Sequence, residues 1–439
     1  MDKIEIINVL KEWNFWDNEP KSTFARDLYD REIVNKAKAD EILFIKGIRR
    51  SGKSTLLLNY IKYLLNNGVS KKQILFVNLE DPRFATELSL KLLDEIKSTY
   101  IYYINPSDKP YIFLDEIQNI DNFEKWLLKE YELKSSYLFA TGSNSKLLSS
   151  EIGSSLSGRY LDVLVYPLAF KEFLSFKHCN VDSIYSLISQ KDSIERYFEE
   201  YLNFGGFPKV VLVEDEELKR AELKSYFDSI LLRDIVSRYN LDNFRVLEQL
   251  AIFLLSSISN QISINKIKNH LKISYDMANR YFEYLHNAFI IDTISLFDWS
   301  YKKQIVNPKK VYSIDMGLTK RVSFEVGKKK GDYLENIVFL ELKRRYSEIF
   351  YYKTAQNYEI DFLIKEKQNI THLIQVSYTL TDNKTLTREI RALLKANQEL
   401  KKDINLNLMI ITQDNSKDII QDNVVIKVVN IFEWLLFEN

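Results

Sequence analysis

Residues Gly47-Ile48-Arg49-Arg50-Ser51-Gly52-Lys53-Ser54 carry the spacing G-x-x-x-x-G-K-[ST]. Their chemistry is anion capture. Gly47 and Gly52 let the backbone curl so that several N–H groups point inward, with Arg50 and Ser51 in the same cradle. Lys53 is placed to reach β- and γ-phosphate oxygens as a point charge, Ser54 to ligate Mg²⁺, and Thr55 to contact an α-phosphate. The chain has only 11 glycines in 439 residues, so a pair at this spacing carries more weight than usual.

Asp115 and Glu116 end the apolar run Tyr111-Ile112-Phe113-Leu114, the pattern known as Walker B. Asp115 is suited to hold Mg²⁺ through its water shell, and Glu116 to orient or deprotonate an attacking water. A carboxylate at position 116 favours ATP hydrolysis over nucleotide binding alone. Ala140-Thr141-Gly142-Ser143-Asn144 closes the next apolar run, and Ser143 or Asn144 is expected to lie between Glu116 and the γ-phosphate. Arg159, in Leu156-Ser157-Gly158-Arg159-Tyr160, can stabilise transition-state charge in cis or across a subunit boundary, and the second route calls for a homo-oligomer.

These residues need a sheet to hold them. Short apolar runs at Ile42–Ile45, Ile74–Leu79, Tyr111–Leu114, Tyr137–Ala140 and Leu161–Val165 alternate with helical patterns, which predicts a parallel sheet covered on both faces. The helix from Leu56 to Leu65 stops at Asn66-Asn67-Gly68. Residues from Pro167 to about Asn240 read mainly as helix, broken at Gly205-Gly206-Phe207-Pro208. Helices over Phe244–Ile258, Ile264–Leu271 and Tyr275–Asn287, then strands at Phe289–Phe297 and Lys310–Ile314, make a winged helix-turn-helix. A helix at Tyr333–Tyr346, strands at Ile349–Tyr352, Glu359–Ile364 and Leu373–Val376, a helix at Thr385–Ala396 and a strand at Leu406–Ile411 indicate a separate mixed α/β domain.

Composition sets outer bounds. Hydrophobic residues are 46% and charged residues 28%, enough apolar material for several cores. Lys+Arg and Asp+Glu are both 61, so a uniform nucleic-acid coat is excluded while local patches are not. One cysteine, Cys179, rules out an internal disulfide, and with four histidines a Cys/His zinc site is not expected. Neither an apolar leader at Met1–Glu5 nor an apolar run of about 18 residues is present, which predicts a cytoplasmic protein with no membrane contact.

The motifs occur in a recognisable order. Gly47 to Thr55, Asn78-Leu79-Glu80-Asp81-Pro82-Arg83-Phe84, Leu114-Asp115-Glu116-Ile117-Gln118, Ala140 to Asn144 and Ser157-Gly158-Arg159-Tyr160 are followed by Tyr166-Pro167-Leu168-Ala169-Phe170-Lys171-Glu172-Phe173 and Gly205 to Pro208. Together they resemble the prokaryotic AAA-type ATPases whose C-terminal domain is related to restriction-endonuclease folds. The resemblance runs over essentially the whole chain and is strongest in the first 240 residues. It implies an α/β protein with four parts: a P-loop NTPase core (1–165), a helical lid (166–242), a winged helix (243–325) and a PD-(D/E)XK-like mixed α/β domain (326–439). Gly206 and Pro208 match a Gly-x-Pro turn that sits against the nucleotide in that class, which implies that Pro208 packs on the adenine.

PD-(D/E)XK nucleases carry an acid on the first helix, an Asp at a strand and [DE]-x-Lys on the next strand. Glu335 and Asp361 match the first two; Gln375-Val376-Ser377 departs from the third. A neutral amide is a poorer Mg²⁺ ligand and serine supplies no positive charge. Lys365 or Lys384 would have to substitute in space. A degenerate domain that binds DNA or protein is the expectation, with an ATP-regulated nuclease as the rival.

For DNA, the helix Tyr275–Asn287 offers Arg280 and His286 but also Asp276 and Glu283. The following hairpin is more basic, with Tyr301, Lys302, Lys303, Lys309 and Lys310, and Lys328-Lys329-Lys330 adds a second cluster. The leading expectation is an Mg²⁺-dependent ATPase whose nucleotide state repositions the winged helix and the C-terminal domain on DNA. The alternative is a nucleotide-switched scaffold that binds a protein partner.

Overall fold

Strands β1 (Ile42–Lys46), β2 (Ile74–Asn78), β3 (Tyr111–Asp115), β4 (Tyr137–Gly142) and β5 (Tyr160–Leu164) form one sheet in the order β2-β3-β4-β1-β5, every pair parallel. Their side chains alternate between two cores because successive residues of a strand face opposite ways. Ile42, Phe44, Leu75, Val77, Ile112 and Leu114 pack under the helices Lys3–Trp13, Leu90–Ile104 and Phe123–Glu132. Leu43, Ile45, Phe76, Phe113, Phe139 and Val163 pack on the other face, under Asp27–Ala37 and Lys53–Asn66. Burial on both faces is why the strands read as continuous apolar runs, and each buried Leu, Ile or Phe contributes about 1.5–3 kcal/mol.

In this computed structural model the described residues are 1–20, 23–104, 106, 108–143, 156–241, 243–323, 330–400 and 406–437. They divide into two compact units: Met1–Pro167 with Asn287–Phe289, and Leu168–His286 with Ile290–Asn439. The five-stranded sheet belongs to the first.

The second unit begins with helices Phe170–Phe176, Ile184–Ser189 and Lys191–Phe204. The predicted break follows: Gly205 takes φ +73°, and Pro208 opens the helix Pro208–Leu212 at a position where its missing N–H costs nothing. The turn is held by Asp315, whose Oδ2 accepts from the Gly206 N–H at 2.7 Å, while the Gly206 carbonyl accepts from the Leu168 N–H at 2.7 Å. A Cβ at Gly206 would lie 2.4 Å from the Leu168 carbonyl oxygen, so only glycine fits.

Helices Phe244–Leu255, Ile264–Leu271 and Tyr275–Asn287 come next, with β6 (Asn260–Ile262) between the first two and β7 (Ile291–Leu296) and β8 (Lys309–Ser313) after the third. β7 and β8 pair antiparallel, as the sequence predicts, and β6 pairs with the other edge of β8. Contrary to the expectation of a separate C-terminal sheet, β7 also runs parallel to β9 (Glu348–Lys353), with Ser295 opposite Phe350. A single nine-stranded sheet results. β10 (Glu359–Glu366), β11 (Asn369–Val376), β12 (Asn407–Thr412), β13 (Lys417–Gln421) and β14 (Val424–Asn430) complete the order β13-β14-β12-β11-β10-β9-β7-β8-β6. The joining pair is short and distant in sequence, so no local pattern announces it.

Helix Asn383–Leu400 covers Ile360, Leu363, Leu373, Leu408 and Ile410. Helix Lys330–Arg345 is buried continuously from Tyr333 to Leu340. Among the described residues no helix is long and apolar enough to cross a membrane.

Candidate functional site

β1 delivers the chain into the loop 47–52, and helix Lys53–Asn66 leaves it. A Cβ at Gly47 would lie 2.1 Å from the Val165 carbonyl oxygen, so the loop can enter only through a glycine. The first-turn amides of the helix have no carbonyl one turn earlier to bond, and the positive end of the helix dipole adds to them. Arg50 (φ +71°) and Glu116 (φ +57°) both occupy the left-handed region, which costs a non-glycine residue about 1–2 kcal/mol.

Lys53 is buried; its Nζ donates to the Ile48 carbonyl at 3.1 Å and lies 3.9 Å from Glu116 Oε1. Ser54 Oγ donates to Asp115 Oδ1 at 2.9 Å, so two Mg²⁺ ligand candidates already touch. Thr55 is half-buried in the first helical turn, and Arg50 is exposed. Ser51 Oγ is buried with no hydrogen-bond partner, a polar atom left inside the cradle for a ligand to satisfy. The glycine-lined entry, the unsatisfied hydroxyl and the Ser54–Asp115 pair fit Mg²⁺ and a nucleoside triphosphate.

Asp115 and Glu116 differ in proton affinity because their surroundings differ. Burial pushes the Asp115 carboxyl up to about 6, with Glu116 adding to it, while hydrogen bonds from Thr141 and Ser54 work against the rise. Burial also raises Glu116, but Lys53, Gln118 and Arg49 together outweigh it and hold it below its ordinary value. Glu116 is therefore ionised at neutral pH, as a proton acceptor must be. Arg49 is itself held by Glu80 at 2.8 Å.

Three positioning residues escaped the sequence analysis. Thr141 Oγ1 donates to Asp115 Oδ1 and accepts from the Glu116 N–H at 2.9 Å. It can do so because β4 lies between β1 and β3, which puts its end between the phosphate loop and the carboxylates. Gln118 donates to Glu116 Oε2 and to Ser143 Oγ at 3.3 Å. Arg26 is buried, donating to the Ser51 carbonyl at 2.9 Å and the Tyr166 carbonyl at 3.0 Å. Thr141 was visible as a polar residue in its apolar run; Arg26, twenty or so residues ahead of the motif, carried no signal.

Ser143 is fully buried beside Gln118, and Asn144 lies outside the described residues. Arg159 stands at the opposite end of the sheet from the phosphate loop. Its neighbour Tyr160 is level with Ile42, where β1 begins, whereas the loop follows Lys46. About 16 Å of strand separates them, so a cis role is corrected: Arg159 cannot reach its own nucleotide site. Its side chain pairs with Glu132 at 3.1 Å. Pro208 belongs to the second unit, at the start of helix Pro208–Leu212.

The second unit brings Glu335, Asp361 and Gln375 together, but not as a metal site. Lys310 Nζ lies 3.0 Å from Glu335 Oε1 and 3.0 Å from Asp361 Oδ1. Gln375 turns its amide oxygen to the Asp361 N–H at 2.8 Å. Among the described residues, no group of three His, Cys, Asp or Glu side chains is arranged to hold a metal ion. Two expectations are corrected here. Lys310 is not part of a solvated basic hairpin but is 2% exposed, because the pleat of β8 turns it inward while Lys309 points the other way. Lys365 does not replace the missing lysine; it pairs with Glu348 at 3.0 Å. Of the remaining basic residues, Lys302 and Lys303 are exposed on helix Tyr301–Val306 beside Tyr301, and Arg280 is exposed. His286 lies 3.5 Å from Asp292, and Lys330 donates to Tyr378 OH at 3.1 Å. Lys328 and Lys329 lie outside the described residues.

Comparison with known proteins places this geometry. Residues 39–174 match a family model described as an AAA domain, and 195–327 and 330–433 match two domains of unknown function. The chain is 38% identical over 419 residues to an uncharacterised protein of Methanocaldococcus jannaschii, MJ1544, covering 93% of this chain and 91% of that one. The chain belongs to that protein's family. A second family member, an uncharacterised protein of Haemophilus influenzae, is 32% identical over 429 residues, covering 95% of this chain and 99% of its own. Among solved structures, the Walker-type ATPase PABY2304 of Pyrococcus abyssi is similar at 16% identity and a TM-score of 0.46, over 70% of this chain and 99% of that one. In this chain the AAA domain therefore comes first, followed by the two segments that share the nine-stranded sheet.

Proposed function

We propose that the protein is an Mg²⁺-dependent ATPase of the AAA/STAND-like type. Mg²⁺-ATP supplies a phosphoanhydride whose terminal phosphoryl group is open to attack by water. Ser54 and Asp115 hold the metal, Lys53 and the loop amides neutralise the phosphates, and Glu116 orients the water and takes its proton. Thr141 and Gln118 keep the two carboxylates apart and aimed. The carrying observation is that Ser54, Lys53 and Thr141 converge on Asp115 and Glu116 while Ser51 Oγ is left unsatisfied. Arg159 acts across a subunit boundary in a homo-oligomer, and Pro208 packs against the base.

ATP binding then repositions the second unit on DNA, with the helices and hairpin of residues 244–313 acting as a winged helix. Support comes from exposed Lys302, Lys303 and Tyr301 at one edge and from Arg280. Inward-facing Lys310 removes one charge from that face. The exposed Trp299, Tyr301, Ile305 and Val306 nearby favour a second reading, a nucleotide-switched scaffold with a protein partner.

Nucleotide titration and ATP turnover test the proposal. Lys53→Ala is expected to abolish ATP binding, and Glu116→Gln to bind ATP without turning it over. Normal turnover by Glu116→Gln would remove its role as base. Turnover measured with and without DNA across a salt series separates the two readings: stimulation that fades with salt supports DNA, and indifference to DNA supports the scaffold.

A further inference from the structure

A nuclease-like domain implies a divalent metal among its acids, and the residues present do not fit one. Lys310 Nζ lies 3.0 Å from Glu335 Oε1, 2.8 Å from Glu359 Oε1 and 3.0 Å from Asp361 Oδ1. An ammonium has three donors; here Glu335 and Asp361 take two as hydrogen bonds and Glu359 adds an ion pair. Mg²⁺ needs its oxygens at 2.0–2.1 Å, so each carboxylate would have to move inward by almost an ångström after the lysine left.

Much of the remaining ligand capacity is also spoken for. Tyr312 OH donates to Glu335 Oε1 at 2.8 Å. Gln261 Nε2 donates to Glu359 Oε2 at 2.6 Å, and the Val376 N–H to Asp361 Oδ2 at 3.0 Å. Gln375 Nε2 donates to Glu389 Oε2 at 2.7 Å and to the Glu359 carbonyl at 3.1 Å. Burial alone would discharge Lys310, but Glu335 and Asp361 reverse that and hold it well above its ordinary range.

We propose that Lys310 is a built-in cation: its ammonium stands where a metal would be, ties β8 to helix Lys330–Arg345 and to β10, and closes the acid cluster to metal chemistry. The lysine comes from the segment 195–327 and the acids from the segment 330–433, so the contact also locks the two matched segments together. A buried charge with three partners specifies one register of β8 against its neighbours, since a one-residue slip would put Lys310 on the opposite face.

The test uses the full chain in an Asp115→Asn background, so that the first unit does not bind metal. Bound Mn²⁺ is counted by electron paramagnetic resonance and stability is read by thermal melting. With Lys310 intact, no Mn²⁺ is expected to bind, and melting is expected to be the same in EDTA, Mg²⁺ and Mn²⁺. Lys310→Ala is expected to melt roughly 10 °C lower in EDTA, to gain one Mn²⁺ per chain, and to lose it again on adding Asp361→Asn. If Lys310→Ala does not fold, Lys310→Met retains the volume of the side chain and serves for the melting comparison. Mn²⁺ binding or DNA nicking that depends on Asp361 while Lys310 is intact would overturn the proposal. So would a folded Lys310→Ala that takes up no Mn²⁺, or a folded Lys310 variant that melts like the parent.

Discussion

Lys53 in the first unit and Lys310 in the second both stand among carboxylates, with different degrees of commitment. Lys53 gives a hydrogen bond to a backbone carbonyl and approaches Glu116 only to 3.9 Å, beside a serine hydroxyl with no partner. Lys310 touches three carboxylates at 3.0, 2.8 and 3.0 Å, and the second oxygens of Glu359 and Asp361 are bonded as well. The first arrangement leaves the Ser51 hydroxyl for something else to use. The second commits its cation to three carboxylates. A lysine near two acids is therefore no sign of a reactive site by itself; unsatisfied capacity is the informative feature.

Substitution should expose that contrast most strongly at Glu116. Glu116→Gln is expected to lower ATP turnover by about 10²- to 10⁴-fold with nucleotide affinity retained, as measured by steady-state turnover and equilibrium titration. The next largest effect is on stability and falls on the other unit. Glu335→Ala leaves Lys310 with one partner fewer in a buried site and should cost about 3–5 kcal/mol in denaturant unfolding. Asp115→Asn should cost none, because burial already works against the charge that it removes. Equal losses in the two variants would break the contrast.

A pH series sharpens it further. Burial pushes Asp315 up to about 6 from 3.8, with the N–H groups of Gly206 and Leu318 opposing the rise. The folded state thus holds this proton more tightly than the unfolded state. The stability it contributes is complete below pH 3.8 and is lost as pH rises through about 6, at most about 3 kcal/mol. Asp315→Asn should flatten that part of the stability curve, as read by denaturant melts across the range. The smallest effect is expected at Thr141→Val, which keeps the shape of the side chain and removes one hydroxyl. Turnover should fall about tenfold to a hundredfold, for the two hydrogen bonds this hydroxyl makes at about 0.5–1.5 kcal/mol each.

How far the sequence could be read differs between the units for the same physical reason. In the first unit the reacting groups sit on contiguous stretches, Gly47 to Ser54 and Asp115-Glu116, at the ends of strands buried on both faces. Apolar runs, glycines and the charged residues that end them are local signals, so strands, phosphate loop and carboxylates were all legible. Thr141 and Arg26 were not identified, because their partners lie 26 and 25 residues away. In the second unit the decisive contacts are longer. Lys310 meets Asp361 across 51 residues, and Ser295 lies level with Phe350 in a different segment. The sequence placed Lys310 on a basic hairpin because it counts charges without knowing which face of the pleat they occupy.

The sequence by itself determined a nucleotide-type phosphate loop, its paired carboxylates, the parallel strands that carry them and the break at Gly205 to Pro208. Each depends on local chemistry: a backbone that must curl, an apolar run that must be buried, a proline that cannot continue a helix. Tertiary structure alone decided that β4 separates β1 from β3 and so makes Thr141 a positioning residue. It also set Arg159 at the far end of its sheet, joined β7 to β9, and turned Lys310 from a surface charge into the centre of an acid cluster. Those outcomes depend on which strands become neighbours and which face each residue then presents, and pairing across long separations leaves no mark on the residues one by one.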